Sequence, residues 1–166
     1  MIDASLSELM MQQVQLKVLD PRIGKSVKLP TYQTSGAAGI DLYACIDTPV
    51  TIQPGECLLI PSGISIYIQN PSYCGLIFPR SSLGHKKGLI LGNSTGVIDS
   101  DYQGEILISF LNRSKEAQTV SPLERIAQLV LIPISRPCFN VVDDFHSTSK
   151  RGEGGFGSTN YETQDI

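Results

Sequence analysis

Short apolar runs recur along the chain with turn residues between them. VQLKVL (14–19), GIDLYA (39–44), CLLIPSGISIYI (57–68), YCGLIF (73–78), EILISFLN (105–112) and RIAQLVLIPI (125–134) are each rich in Val, Ile, Leu, Tyr or Phe. Clusters such as QPGE, QNPS and SDYQG separate them, as Gly, Pro, Asn and Asp do at strand ends. Ten prolines and fifteen glycines spread this way favour many short strands over long helices. The pattern predicts an all-β domain, jelly-roll-like or a distorted β-barrel, in which two sheets enclose one core.

Two stretches read differently. Ser5 to Glu8 fits a capping box, so residues 5–12 read either as a brief helix or as an unstructured terminal extension. Ser81-Ser82-Leu83-Gly84-His85-Lys86 reads as one helical turn opened by a serine cap. From Asp143 the periodicity stops, and DDFHSTSKRGEGGFGSTNYETQDI is polar and Gly-rich. The expected layout is an N-terminal extension (1–13), a β domain (14–142) and a flexible C-terminal arm (143–166). Residues 143–150, fully extended, would reach about 26–29 Å, far enough to leave the parent subunit.

Composition narrows the function classes. At 166 residues there is room for one domain with a real core, and 41% hydrophobic against 17% charged residues describes a globular chain. A net charge of −3 argues against binding nucleic acid through a broad basic face, though a local donor cluster can still hold a triphosphate. Cys45, Cys57, Cys74 and Cys138 are scattered, with only His85 and His146 to join them, so they read as buried free thiols, not a zinc site. The start lacks a basic n-region, and no run approaches the roughly 20 apolar residues that span a bilayer. A soluble cytoplasmic protein without membrane partners is expected.

Three motifs carry chemistry. In the tail, Gly152, Gly154 and Gly157 satisfy G-x-G-x-x-G, but the chain ends at Ile166 with no helix to hold a pyrophosphate, so the dinucleotide reading fails. Glycines that let backbone N–H groups approach phosphate, with Arg151, Ser158, Thr159 and the flat Phe156, remain; the bland alternative is a flexible tail. Phe78-Pro79-Arg80-Ser81-Ser82-Leu83-Gly84 offers a guanidinium, hydroxyls and free N–H groups for an anion, or else an ordinary cap beside a surface arginine. Asn93 to Gly104 reads as a β-hairpin suited to a base edge, with Asp99 placed to take a proton from water and Tyr102 to lie against a sugar. A turn aspartate and a core tyrosine are the alternative.

Taken in order, AAGIDLYA (37–44), PRSSLG (79–84), GNSTGVIDSDYQGEI (92–106), RIAQLVLIP (125–133) and RGEGGFGSTN (151–160) resemble the five motifs of the trimeric dUTP pyrophosphatase family. The resemblance spans about residues 14–160. It implies a homotrimer of jelly-rolls with active sites at subunit interfaces, hydrolysing dUTP to dUMP and pyrophosphate. That reaction keeps uracil out of DNA and supplies dUMP for dTMP synthesis. On this resemblance Asp99 activates water for attack on the α-phosphorus and holds the 3′-hydroxyl. Tyr102 packs on the deoxyribose, and Asn93, Gly96, Val97, Ile98 and Leu107 line the uracil slot. Arg80, Ser81, Ser82 and Gln128 hold phosphates, from a neighbouring subunit, and Asp41 meets Mg2+ through water. From a third subunit Phe156 stacks on uracil while Arg151, Ser158 and Thr159 reach the outer phosphates.

Three departures stand out: Asn160 where glycine is frequent, Ser82 in place of a common glycine, and the extra residues 1–13. A dCTP deaminase of the same fold, with Glu105 as proton shuttle, and a non-catalytic jelly-roll binding module are the rival readings.

Overall fold

The computed structural model describes residues 12–154. The chain divides into two units, residues 1–135 and 136–166. The first holds ten strands: β1 (Gln15–Val18), β2 (Ile40–Tyr43), β3 (Val50–Ile52), β4 (Cys57–Tyr67), β5 (Tyr73–Pro79), β6 (Leu89–Leu91), β7 (Gly96–Ile98), β8 (Glu105–Asn112), β9 (Gln118–Val120) and β10 (Arg125–Pro133). Each of the six apolar runs coincides with one of the longer strands, β5 extending one residue past its run. The shorter β3, β6, β7 and β9 have only three residues each, too few for a period-two pattern to show.

The strands form two four-stranded antiparallel sheets, ordered β1-β4-β8-β6 and β2-β10-β5-β7, with β3 and β9 paired alone. The fold is thus mostly β and jelly-roll-like, as expected, but the sheets stay open and no barrel closes. Alternation explains the layering. Along β8, Ile106, Ile108, Phe110 and Asn112 point inward while Leu107 faces out. They pack with Ile60, Ile64 and Ile66 of β4, Leu42 of β2, Ile77 of β5 and Leu129 of β10. Burying such side chains contributes roughly 1.5–3 kcal/mol each.

Asn112, fully buried, is the polar tie in this core. Its Nδ2 donates to the Ile52 and Glu116 carbonyls, both at 2.8 Å, and its Oδ1 accepts from the Ser114 amide and hydroxyl. The side chain thereby joins β8 to the small β3–β9 sheet with its polar atoms satisfied.

Three expectations need correction. Residues 93–104 do not make a hairpin: β6 pairs with β8 and β7 with β5, so Asn93–Thr95 carries the chain from one sheet to the other. The helical turn forms, as a wide turn over Leu83–Lys87, but Ser82 makes no side-chain cap bond. Its backbone is already helical (φ −63°, ψ −36°), whereas a capping serine is typically extended. Finally, all four cysteines are free, yet only Cys74 is buried and Cys45 half-buried; Cys57 and Cys138 are exposed. Residues 1–11, and with them nearly all of the predicted brief helix, lie outside the described residues.

In the second unit the described residues, 136–154, form neither helix nor strand. Arg151 Nε donates to the Gly154 carbonyl at 2.8 Å, and the Gly154 amide donates back to the Arg151 carbonyl at 3.0 Å. Phe139, Val141 and Phe145 are almost fully exposed.

Candidate active site

A cleft of about 210 Å³ opens between β7, the turn after it and the outer face of β8. That is below the roughly 300 Å³ at which drug-sized pockets begin. Asn93, Gly96, Val97, Ile98, Asp99, Tyr102 and Leu107 all line it, joined by Ile77, Leu91, Glu105 and Ser109.

Each wall has a local cause. Gly96 faces Ile77 across the β5–β7 ladder, and a Cβ there would fall 2.9 Å from the Ile77 Cβ, so only glycine lets β7 lie this close. Ser94 takes a left-handed φ of 63° to turn the chain into β7. Asp99 follows β7 at the rim, exposed, and its carbonyl accepts from the Tyr102 amide at 3.2 Å. The Tyr102 hydroxyl donates to the Glu105 carbonyl at 2.9 Å. Its ring passes over Gly104, where a Cβ would come within 2.6 Å of the Tyr102 Cζ. Leu107 is half exposed and lines the cleft because it occupies an outward position of β8.

The residues expected at phosphates gather elsewhere. Arg80, Ser81, Ser82, Gln128 and Asp41 do not line this cleft. Gln128 of β10 sits between Asp41 of β2 and Phe78 of β5 in register, and a Cβ on Gly39 would meet its Oε1 at 2.7 Å. Arg80 Nε lies 3.3 Å from Asp41 Oδ1, and Arg125 Nη1 donates to Asp41 Oδ2 at 3.0 Å. Nothing in the local pattern singles out Arg125 beyond its place in RIAQLVLIP, and the pairing of β10 with β2 brings it beside Asp41. Ser81 and Ser82 are exposed, but the Leu83 and Gly84 amides already donate to the Arg80 carbonyl. The hydroxyls and the guanidinium, more than these amides, are the donors left for an anion. Arg151 belongs to the second unit, and Phe156, Ser158 and Thr159 lie outside the described residues.

Among the described residues no three His, Cys, Asp or Glu side chains converge to hold a cation. Asp41 meets an arginine at each oxygen, yet a carboxylate oxygen carries a second lone pair. Each Asp41 oxygen therefore keeps an acceptor site, but one carboxylate held between two arginines does not by itself make a cation cage.

Comparison with known proteins gives one answer. The dUTPase family model matches residues 25–160. A deoxyuridine 5'-triphosphate nucleotidohydrolase of Tolumonas auensis is 55% identical over 149 residues, covering 90% of this chain and 98% of its own. One from Escherichia coli is 52% identical over 148 residues, covering 89% and 97%. Among solved structures, the dUTPase of Staphylococcus bacteriophage 80alpha with dUpNHpp superposes with a TM-score of 0.74 at 28% identity, covering 89% of this chain and 98% of that one. With a family match over most of its length and relatives identical at more than half of the aligned positions, this chain belongs to the dUTPase family.

Proposed function

We infer that this protein hydrolyses dUTP to dUMP and pyrophosphate. The observation that carries the reading is the small cleft at β7–β8, with Asp99 and Tyr102 on its rim, in a chain of the dUTPase family. The relatives' shared name, deoxyuridine 5'-triphosphate nucleotidohydrolase, and the phage enzyme held with dUpNHpp point the same way.

In this reading uracil enters between β7 and Leu107. Backbone groups of Gly96–Ile98 and the Asn93 amide pair with its edge, so cytosine would leave polar groups unpaired. Rejection of thymine would then follow from crowding of its 5-methyl group by the cleft wall. Tyr102 lies flat against the deoxyribose and excludes a 2′-hydroxyl. Asp99, exposed beside it, removes a proton from water as that water attacks the α-phosphorus, and also holds the 3′-hydroxyl.

Arg80, Ser81, Ser82 and Gln128 stand apart from the cleft, which supports their serving a site completed by a neighbouring copy in a homotrimer. Arg151, Phe156, Ser158 and Thr159 would then come from a third copy, on the arm of residues 143–166, and close over base and phosphates. The almost fully exposed Phe139, Val141 and Phe145 favour a segment that finishes its packing on another subunit. Mg2+ would neutralise phosphate charge, with Asp41 reaching it through water.

The test is pyrophosphate and ammonia release measured side by side with dUTP, dCTP, dTTP and UTP. Pyrophosphate from dUTP, without ammonia from dCTP, is the expected result. Ammonia release would return the reading to a deaminase, and intact dUTP to a non-catalytic module. The relatives' shared name, a nucleotidohydrolase of deoxyuridine 5'-triphosphate, speaks against the deaminase.

A further inference from the structure

Strand β4 carries an irregularity directly behind the cleft. Pro61 pairs with Leu107 of β8, but the next partner of β8, Glu105, faces Ser65. In a continuous ladder Glu105 would face Gly63. The chain instead loops out at Ser62–Ile64, with Gly63 at φ +70°. Gly63 cannot be another residue here: a Cβ would lie 2.7 Å from the Asp20 Cβ and 2.5 Å from the Cys45 Sγ.

The displaced Gly63 still needs hydrogen-bond partners, being buried. Its carbonyl accepts from the Leu19 and Asp20 amides, at 2.8 and 3.0 Å. Its N–H donates to Glu105 Oε1 at 2.9 Å, so a side chain supplies what the ladder lost. Two residues on, the buried Ser65 hydroxyl donates to the Gln103 carbonyl at 2.6 Å. The loop-out thus grips residues 103 and 105. On the second of these, the Glu105 carbonyl receives the Tyr102 hydroxyl.

Tyr102 is 42% exposed, so packing alone does not fix its ring. We propose that Glu105 is a positioning residue: its carboxylate, anchored on the Gly63 amide, holds the carbonyl that orients Tyr102, and so sets selectivity for the sugar. The inference rests on the dUTP reading above and on Tyr102 facing the deoxyribose. It needs an acceptor oxygen at position 105, not a charge, because the Gly63 donor is a neutral amide.

The experiment compares kcat/KM for dUTP and UTP in the full-length protein. Glu105→Ala is expected to lower the dUTP-over-UTP ratio about ten-fold, and Glu105→Gln, which keeps the oxygen, to stay within about two-fold of the parent. Tyr102→Phe, which cuts the same tether at its other end, should match Glu105→Ala, and the double variant should be no worse than either. An unchanged ratio in Glu105→Ala, or a loss in Glu105→Gln as large as in Glu105→Ala, overturns the proposal. So does a proportional fall for both nucleotides, the mark of general damage. If Glu105→Ala does not fold, an unchanged ratio in Tyr102→Phe overturns it and a ten-fold fall supports it. A parent protein that leaves dUTP intact would instead refute the underlying reading.

Discussion

Asp41 Oδ1 stands 3.3 Å from Arg80 Nε, and only 14% of the Asp41 side chain is exposed. The pair ties the end of β5 to β2, and Arg125 on the other oxygen completes a cation–carboxylate–cation row. Holding an arginine in place lowers the cost of ordering it on an anion. Asp41→Asn keeps the shape but removes the charge that orients both guanidiniums. The expected outcome is a rise of about ten-fold in KM for dUTP, read by steady-state kinetics at fixed Mg2+. An unchanged KM would show that Arg80 needs no such support.

Asp99 is exposed on the cleft rim, where a water can reach it. Loss of a general base commonly costs about 10²–10⁴ in rate. Asp99→Asn should therefore lose turnover on that scale while still binding dUpNHpp, as measured by calorimetric titration. A parental rate would remove Asp99 from the mechanism.

Among the described residues, every member of the buried core lies between Ile23 and Leu129. Truncation after Lys150 should consequently leave thermal unfolding of the β domain unchanged. Activity should fall by at least about a hundred-fold, since closure over the site contributes orientation and water exclusion. A fully active truncated protein would show that the Gly-rich segment has no part in catalysis.

Asp20 is bound by Arg22 through Nε and Nη2, and by the Arg22 amide at 2.8 Å. The Arg22 side-chain bond, opposed by burial, holds its carboxyl down at about 2, from an ordinary value of 3.8. A depressed carboxylate stabilises the fold fully above its unfolded pKa and loses that contribution as pH falls toward the folded one. Acid unfolding should thus steepen between about pH 4 and pH 2. Asp20→Asn should flatten that slope, followed by circular dichroism during acid titration; an identical slope would assign the acid sensitivity to other carboxylates.

The longer strands were legible as apolar runs of four or more residues, most clearly EILISFLN, where every second side chain is buried. Three-residue β6 and β7 were not, and the turn chemistry of Asn93–Gly96 suggested a hairpin. The hairpin lost because each short strand found its partner in a different sheet. Much of the lining of the β7–β8 cleft could be named in advance since it comes from one continuous segment plus Leu107. Arg125 could not, because its relation to Asp41 spans 84 positions.

By itself the amino-acid order determined the β class, the apolar positions of the core and the local motifs, since these depend on side chains a few residues apart. Only the tertiary structure decided where those motifs meet. It separated Arg80 and Gln128 from the cleft of Asp99, and gave the Glu105 carboxylate to the Gly63 amide 42 residues away. Such pairings follow from sheet register, and register is set by the packing of whole faces, which no local stretch contains.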